Sequence, residues 1–260
     1  MTFLELNGAV LHTRFRAGRD DVTPILFLNS LGTDFRIWDE VIARLPGDIP
    51  VAQIDKRGHG LSEATPATVK TFADDGAALL AHHGLGPALV CGVSIGGLIA
   101  QRIALDHPAR VKGLVLSNTG ARLGDVAMWQ ARIDAAKSGG LEAMADGVME
   151  RWFSPTFRKE QATAVRGYRM MMSHTTVEGY VNACAALRDA DHREEVGRIA
   201  VPTLCVSGTE DQATPPALVE DLADRIPNAK VLQLDGIGHL PSIETPDRFA
   251  SYLKVHHEAL

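Results

Sequence analysis

Cysteine is scarce in this chain. There are three residues in 260, at 91, 184 and 205. An odd and widely spaced set excludes a disulfide-stapled scaffold or a cysteine-built metal site. Cys91 and Cys205 fall in apolar runs and read as buried free thiols of a reducing compartment. A basic surplus is missing too. Lys and Arg total 26 against 32 Asp and Glu, a net charge of −6. That balance argues against a nucleic-acid partner or an anionic membrane surface, and an anionic substrate would need locally placed arginines. No apolar run approaches the ~20 residues of a membrane span. The opening MTFLELNGAV carries an early glutamate and no basic leader, so the cytoplasm is the expected compartment. Internal repeats and low-complexity tracts are absent as well.

What remains is ordinary for a globular chain: 45% apolar and 22% charged residues, in a length that suits one large domain or a domain with an insertion. LELNGAVLHTRF reads as a hairpin around Asn7-Gly8, a two-residue turn signal. Six further short runs read as strands, at 24–29, 50–55, 88–93, 112–118, 202–208 and 230–236. Most lack polar alternation, as expected of strands covered on both faces. Helical patterns lie between them, at about 34–45, 70–83, 95–106, 215–225 and 246–255. The alternation predicts an α/β fold with a mostly parallel eight-stranded sheet flanked by helices. The rhythm breaks after the sixth strand. DVAMWQARIDAA and LEAMADGVMERWF are amphipathic helical patterns, and no strand signal interrupts the stretch. The expected division is a core of 1–119 and 200–260 with an all-helical cap at 120–199, over the carboxyl edge where open α/β sheets bind ligands.

LVCGVSIGG, at 89–97, runs apolar residues into a serine fenced by glycines. Gly92-Val93-Ser94-Ile95-Gly96 fits G-x-S-x-G. With 24 glycines and 10 serines in the chain, chance supplies roughly 0.09 such matches. Context adds more, since the motif closes a buried-type strand and opens the helical spacing of IGGLIAQRIALDH. A serine on such an elbow exposes its hydroxyl, and the glycines are needed where side chains would strike neighbouring elements. The bland alternative is a structural Gly-Ser turn.

A serine hydroxyl is a weak nucleophile that needs a base, and the base needs an acid to orient it. His239, in the glycine-rich GIGHLPSIETP after the last strand, is the expected base. The other late histidines, His256 and His257, lie in a polar tail that reads as solvated surface. Asp211, in SGTEDQATP just beyond the seventh strand, is the expected acid, with Glu210 its rival and Asp235 too near its own strand end. Asn118 occupies the other position used for this acid, after the sixth strand, and cannot carry the charge. Plain structural roles for Asp211 (a helix N-cap region) and His239 (loop hydrogen bonds) are the alternatives. An oxyanion needs backbone donors: the Ile95 amide after the nucleophile, and the Leu31 amide in LNSLGTDFRIW after the third strand. A plain βα turn is the alternative for Leu31. No metal or organic cofactor is expected.

With these residues assembled, the chain resembles the α/β-hydrolase superfamily over essentially its full length. DKRGHGLS, at 55–62, is similar to the superfamily's loop after strand four, which makes His59 structural. GTEDQATP and GHLPSIETP match its acid and histidine segments. Within the superfamily, FLNSLGTDFRIWD, DKRGHGLSEA and CGVSIGGLIAQ are most similar to the bacterial 3-oxoadipate enol-lactonases. Asn29-Ser30 stands where superfamily members commonly carry His-Gly; main-chain donors tolerate that departure. The resemblance implies a serine carboxylic-ester hydrolase that opens an anionic enol-lactone in aromatic-acid catabolism. A general carboxylesterase, a carbon–carbon bond hydrolase of ring-cleavage products and a small-molecule receptor remain alternatives on the same scaffold.

In the cap, Val126, Trp129, Ile133 and Ala136 share one helix face, and Arg132 neighbours Trp129. A guanidinium at an apolar edge is costly unless paired. Its partner is either the substrate carboxylate that the resemblance implies or a cap acid; a snorkelling surface position is the third choice. Met170-Met171-Met172 read as adaptable core packing rather than a pocket roof, because three consecutive residues cannot share one helix face. Oligomeric state is not legible.

Overall fold

A computed structural model describes residues 2–260. An eight-stranded sheet in the order β1-β2-β4-β3-β5-β6-β7-β8 forms the centre. Its strands are β1 (Thr2–Leu6), β2 (Ala9–Arg16), β3 (Ile25–Leu28), β4 (Val51–Ile54), β5 (Ala88–Val93), β6 (Val111–Ser117), β7 (Thr203–Gly208) and β8 (Lys230–Leu234). The first hairpin turns at Asn7 (φ 48°) and Gly8 (φ 75°), the left-handed pair that a two-residue turn demands. β1–β2 and β2–β4 are antiparallel and the other pairs parallel. β3 and β5 are buried along their whole length, which is why they carry no polar alternation. The outer strands β1 and β8 show exposed positions and charged residues such as Glu5 and Lys230, a common way of blunting a sheet edge.

Helices α1 (Asp39–Ile42), α2 (Val69–His82) and α3 (Ile95–Asp106) belong to the first half. Between β6 and β7 come only helices: α4 (Val126–Gly139), α5 (Ala145–Trp152), α6 (Pro155–Glu160), α7 (Ala162–Ser173) and α8 (Val177–Asp189), with short 3₁₀ turns. α9 (Pro216–Arg225), α10 (Pro241–Glu244) and α11 (Pro246–Glu258) complete the chain. α2 packs on α3, and α1 on α10 and α11. Among the described residues no helix is long and apolar enough to cross a membrane.

Three local expectations change. The helix expected at 34–45 is a 3₁₀ turn, Phe35–Trp38, followed by the single turn of α1. Asp34 captures the Arg36 amide at 3.0 Å and starts the tighter winding. His256 and His257 are not a solvated tail, since they lie on α11, where His257 Nε2 donates 2.7 Å to the Thr23 carbonyl. On α4, Trp129, Ile133 and Ala136 are buried, whereas Val126 begins the helix and is exposed. The three cysteines are free and buried.

Because β3 to β8 run parallel, their carboxyl ends share one edge of the sheet. Ser94, Asn118, Asp211 and His239 all follow strands at that edge.

Candidate active site

Ser94 follows β5 directly and caps α3 with φ 59° and ψ −121°, a conformation that residues with a Cβ rarely adopt. The surroundings enforce it. A Cβ on Gly92 would overlap the Gly96 carbonyl, and one on Gly96 would overlap the backbone of Leu28. The sharp elbow thus requires that the helix start lie against both its own strand and β3. Gly96→Ala is expected to destabilise by at least about 3 kcal/mol, since main chain cannot move aside as a side chain can. In a thermal melt that is a fall of roughly 6–12 °C; an unchanged melting temperature would refute the close approach.

His239 stands in the loop after β8. Its Nδ1 lies 2.8 Å from Asp211 Oδ2, and because an ionised carboxylate only accepts, the imidazole must be the donor. Asp211 lies in the loop after β7 and is held on every side. Its Oδ1 accepts from the amides of Ala213 (2.7 Å) and Thr214 (3.0 Å); its Oδ2 accepts from Thr214 Oγ1 (2.6 Å) and Asn118 Nδ2 (2.8 Å). Burial alone would raise this carboxyl. The His239 imidazole and the bonds from Thr214 outweigh it and hold the group below the usual carboxylate range. Glu210 and Asp235 do not reach the imidazole; Asp235 instead accepts from Thr209 Oγ1. Asn118, noted in the sequence only as unable to serve as the acid, is a supporting residue. Its amide spans Asp211 and the Gly238 carbonyl, tying the loops after β6, β7 and β8 together.

Ser94 and His239 line one pocket together with Leu31, Trp129, Arg132 and Arg151. Ser94 Oγ and His239 Nε2 are not hydrogen-bonded to each other, and neither is sealed from the pocket. Such bonds often tighten only when substrate fills the site. The amides of Leu31 and Ile95 donate to no acceptor among the described residues. Leu31 lies on the pocket wall, and Ile95 is fully buried behind Ser94.

The helical segment between β6 and β7 supplies the other wall. Trp129 Nε1 donates 2.6 Å to the Leu123 carbonyl, which fixes its indole. Arg132 lies between aromatic faces, 5.8 Å from the Trp129 ring and 5.7 Å from that of Tyr180, and its Nε donates 2.7 Å to Tyr180 Oη. No acid of this helical segment pairs with it among the described residues. Burial pushes the Tyr180 hydroxyl up to about 12, so it stays a neutral partner. Arg151 carries no sequence signal and emerges only in three dimensions. It lines the pocket and makes no hydrogen bond or ion pair among the described residues; burial and the nearby Arg132 charge lower its affinity for a proton. The methionines are elsewhere. Met172 is buried beside Gly32, while Met170 and Met171 border a separate groove. His59 is buried outside the pocket, with Nδ1 3.3 Å from the Arg57 carbonyl.

A strand–serine–helix elbow at the carboxyl edge of a mostly parallel sheet, facing a carboxylate-held imidazole, defines a class, and comparison with known proteins agrees. Residues 23–246 match the family described as alpha/beta hydrolase fold, and the chain belongs to it. It is 32% identical over 234 residues to 3-oxoadipate enol-lactonase 2 of Acinetobacter baylyi, covering 89% of this chain and 87% of that one. It is also 32% identical over 244 residues to the pimeloyl-[acyl-carrier protein] methyl ester esterase of Chromobacterium violaceum, covering 90% and 94%. Among solved structures, the enol-lactonase from Burkholderia xenovorans LB400 superimposes with a TM-score of 0.94 at 35% identity, covering 98% and 99%.

Proposed function

We propose that the chain is a serine hydrolase that opens the ring of 3-oxoadipate enol-lactone to 3-oxoadipate, in the cytoplasmic catabolism of aromatic acids. One observation carries the reading. The pocket lined by Ser94 and by His239, which Asp211 holds from behind, is also lined by two guanidiniums, Arg132 and Arg151, with no carboxylate partner among the described residues. In a chain of net charge −6, two such groups beside a nucleophile mark the place for a substrate carboxylate. The cavity is about 80 Å³, well under the ~300 Å³ at which drug-sized sites begin. That size favours a small lactone over an ester with a long acyl chain. Residues 120–199 act as the cap and 1–119 with 200–260 as the core.

His239, oriented by Asp211, removes the proton of Ser94 Oγ as that oxygen attacks the lactone carbonyl. Negative charge gathers on the carbonyl oxygen and is met by the amides of Leu31 and Ile95. The ring C–O bond breaks. The departing enolate takes the proton from His239 and tautomerises to the ketone while still attached to the acyl chain. His239 then deprotonates a water, which attacks the acyl carbon, and Ser94 recovers its proton as the second tetrahedral intermediate collapses. Trp129 forms the apolar wall beside the ring.

The direct test is ultraviolet-monitored opening of the enol-lactone by the purified chain. Rapid turnover supports the reading; neutral aryl esters turned over with no activity on the lactone would make it a general esterase. Arg151→Ala is expected to raise KM for the anionic lactone about 10–100-fold with kcat little changed, and to leave p-nitrophenyl acetate hydrolysis near wild type. Arg132→Ala should do the same more weakly, because Arg132 is already bonded to Tyr180. Equal losses on both substrates would speak against a carboxylate clamp.

A further inference from the structure

Among the buried charges that the catalytic steps do not use is a lysine. Lys56, just beyond β4, is 5% exposed and makes no ion pair among the described residues. Its Nζ donates 2.5 Å to the Ser30 carbonyl and 3.4 Å to that of Thr33. The same Ser30 oxygen accepts Thr33 Oγ1 at 3.0 Å. Neighbouring Asp55 grips the loop at its two ends, accepting Asn29 Nδ2 at 3.2 Å and the Phe35 amide at 2.7 Å. Residues 55 and 56 therefore anchor the whole turn that carries Leu31.

The Ser30 carbonyl and the Leu31 N–H belong to one planar trans peptide, so they point in opposite directions. A cation on the oxygen does two things to that unit. It fixes the plane, holding the N–H toward the pocket, and it draws electron density from the nitrogen, which makes the N–H a stronger donor. We propose that Lys56 is the positioning residue of the oxyanion hole, orienting and polarising the Leu31 amide through the Ser30 carbonyl. This rests on the reading of Ser94 as the acylated nucleophile and of Leu31 as a donor to its oxyanion. It also explains why a lysine is buried without a carboxylate on its ammonium, an arrangement that is otherwise costly.

The ammonium is sensitive to pH. Burial pushes it down to about 7, opposed by Asp55 and by Asp34 from the facing loop. His59, on its own loop, also faces it and is kept neutral by burial and by the Lys56 charge. Behind Asp55, His12 Nδ1 on β2 donates 2.7 Å to the carboxylate. Loss of the Lys56 proton lowers activity, so the ammonium gives the profile a falling alkaline limb.

The test is Lys56→Met, which keeps the length of the side chain and removes the charge. It is expected to melt no lower than wild type and to lose about 10–100-fold in kcat, less than outright removal of an oxyanion donor. KM should stay within about twofold. Affinity for a boronic acid, which forms a tetrahedral anion on serine, should fall in parallel, and the decline of wild-type kcat above about pH 7 should vanish. A folded Lys56→Met with wild-type kcat and an unaltered alkaline limb, or with its loss confined to KM, overturns the inference. Should the variant not fold, boronic-acid affinity of the wild type decides: no weakening as pH passes about 7 overturns it. A fluorophosphonate label on Ser94 separates the two readings. If wild-type Ser94 is not labelled, the serine-hydrolase reading fails and the inference with it; if it is labelled, the Lys56 result stands alone.

Discussion

Ser94→Ala is expected to lower kcat by at least about 10³-fold while the variant folds and binds substrate as before. Of the hydroxyl residues that line the pocket, Ser30, Ser94 and Thr214, only Ser94 stands on the elbow, and Thr214 Oγ1 is committed to Asp211; what remains without Ser94 is the modest acceleration that binding and free amides give a water. Alanine keeps the Cβ and hence the strained backbone at φ 59°, ψ −121°, so thermal stability should barely move. Ser94→Gly makes the complementary point. Glycine enters that region freely, so relief of about 1–3 kcal/mol of strain should outweigh the roughly 0.5–1 kcal/mol of extra chain entropy. The glycine variant should be inactive and melt slightly higher than wild type. An alanine variant with undiminished turnover would remove Ser94 from the chemistry. A glycine variant that melts lower would remove the strain.

Asp211→Asn is expected to cost about 10³–10⁴-fold in kcat, because an amide cannot satisfy what the carboxylate does. Five donors converge on its two oxygens: the amides of Ala213 and Thr214 on one, and Thr214 Oγ1, Asn118 Nδ2 and His239 Nδ1 on the other. Whichever side receives the NH₂ meets donors with a donor. The imidazole either swings away or takes the wrong tautomer, leaving Nε2 protonated and unable to accept from Ser94. Stability should suffer as well, with a defined pH signature. A carboxyl held below its ordinary value contributes stability that is full above about pH 3.9, the unfolded value, and is lost as the folded group protonates below it. The gap in melting temperature between wild type and Asp211→Asn should therefore be widest near neutrality and narrow on acidification. A gap that is constant with pH would mean that the Asp211 charge contributes nothing to folding.

The parts that could be read in advance are those encoded by local rules. The hairpin lies at Asn7-Gly8 because only left-handed residues make that turn. The α3 pattern predicts 95–106, the span observed, since a glycine-flanked serine leaves no other way to pass from strand to helix. The expected helix at 34–45 fails because Asp34 caps a 3₁₀ turn, a contest between two windings that periodicity does not resolve. Val126 fails because a helix face describes direction and not how far the neighbouring helix extends.

Asn118 and Arg151 show the same limit at the site. Neither bears a motif. Asn118 matters through Asp211, which lies 93 residues away in the chain, and Arg151 through the lack of any partner. Lys56 sits in a stretch that is recognisable in sequence, yet its aim at the Ser30 carbonyl is a matter of two loops meeting.

The sequence by itself determined the order of elements, the parallel sheet, the elbow at Ser94 and the candidates Asp211 and His239, because burial patterns and turn chemistry act over a few residues. Tertiary structure alone decided that Asp211 rather than Glu210 reaches the imidazole, that Arg132 leans on Tyr180 rather than a cap acid, and that Arg151 and Lys56 are left as charges without carboxylate partners. Those outcomes depend on distances between strand ends and the helices between β6 and β7, far apart in the chain, and no local pattern encodes such distances.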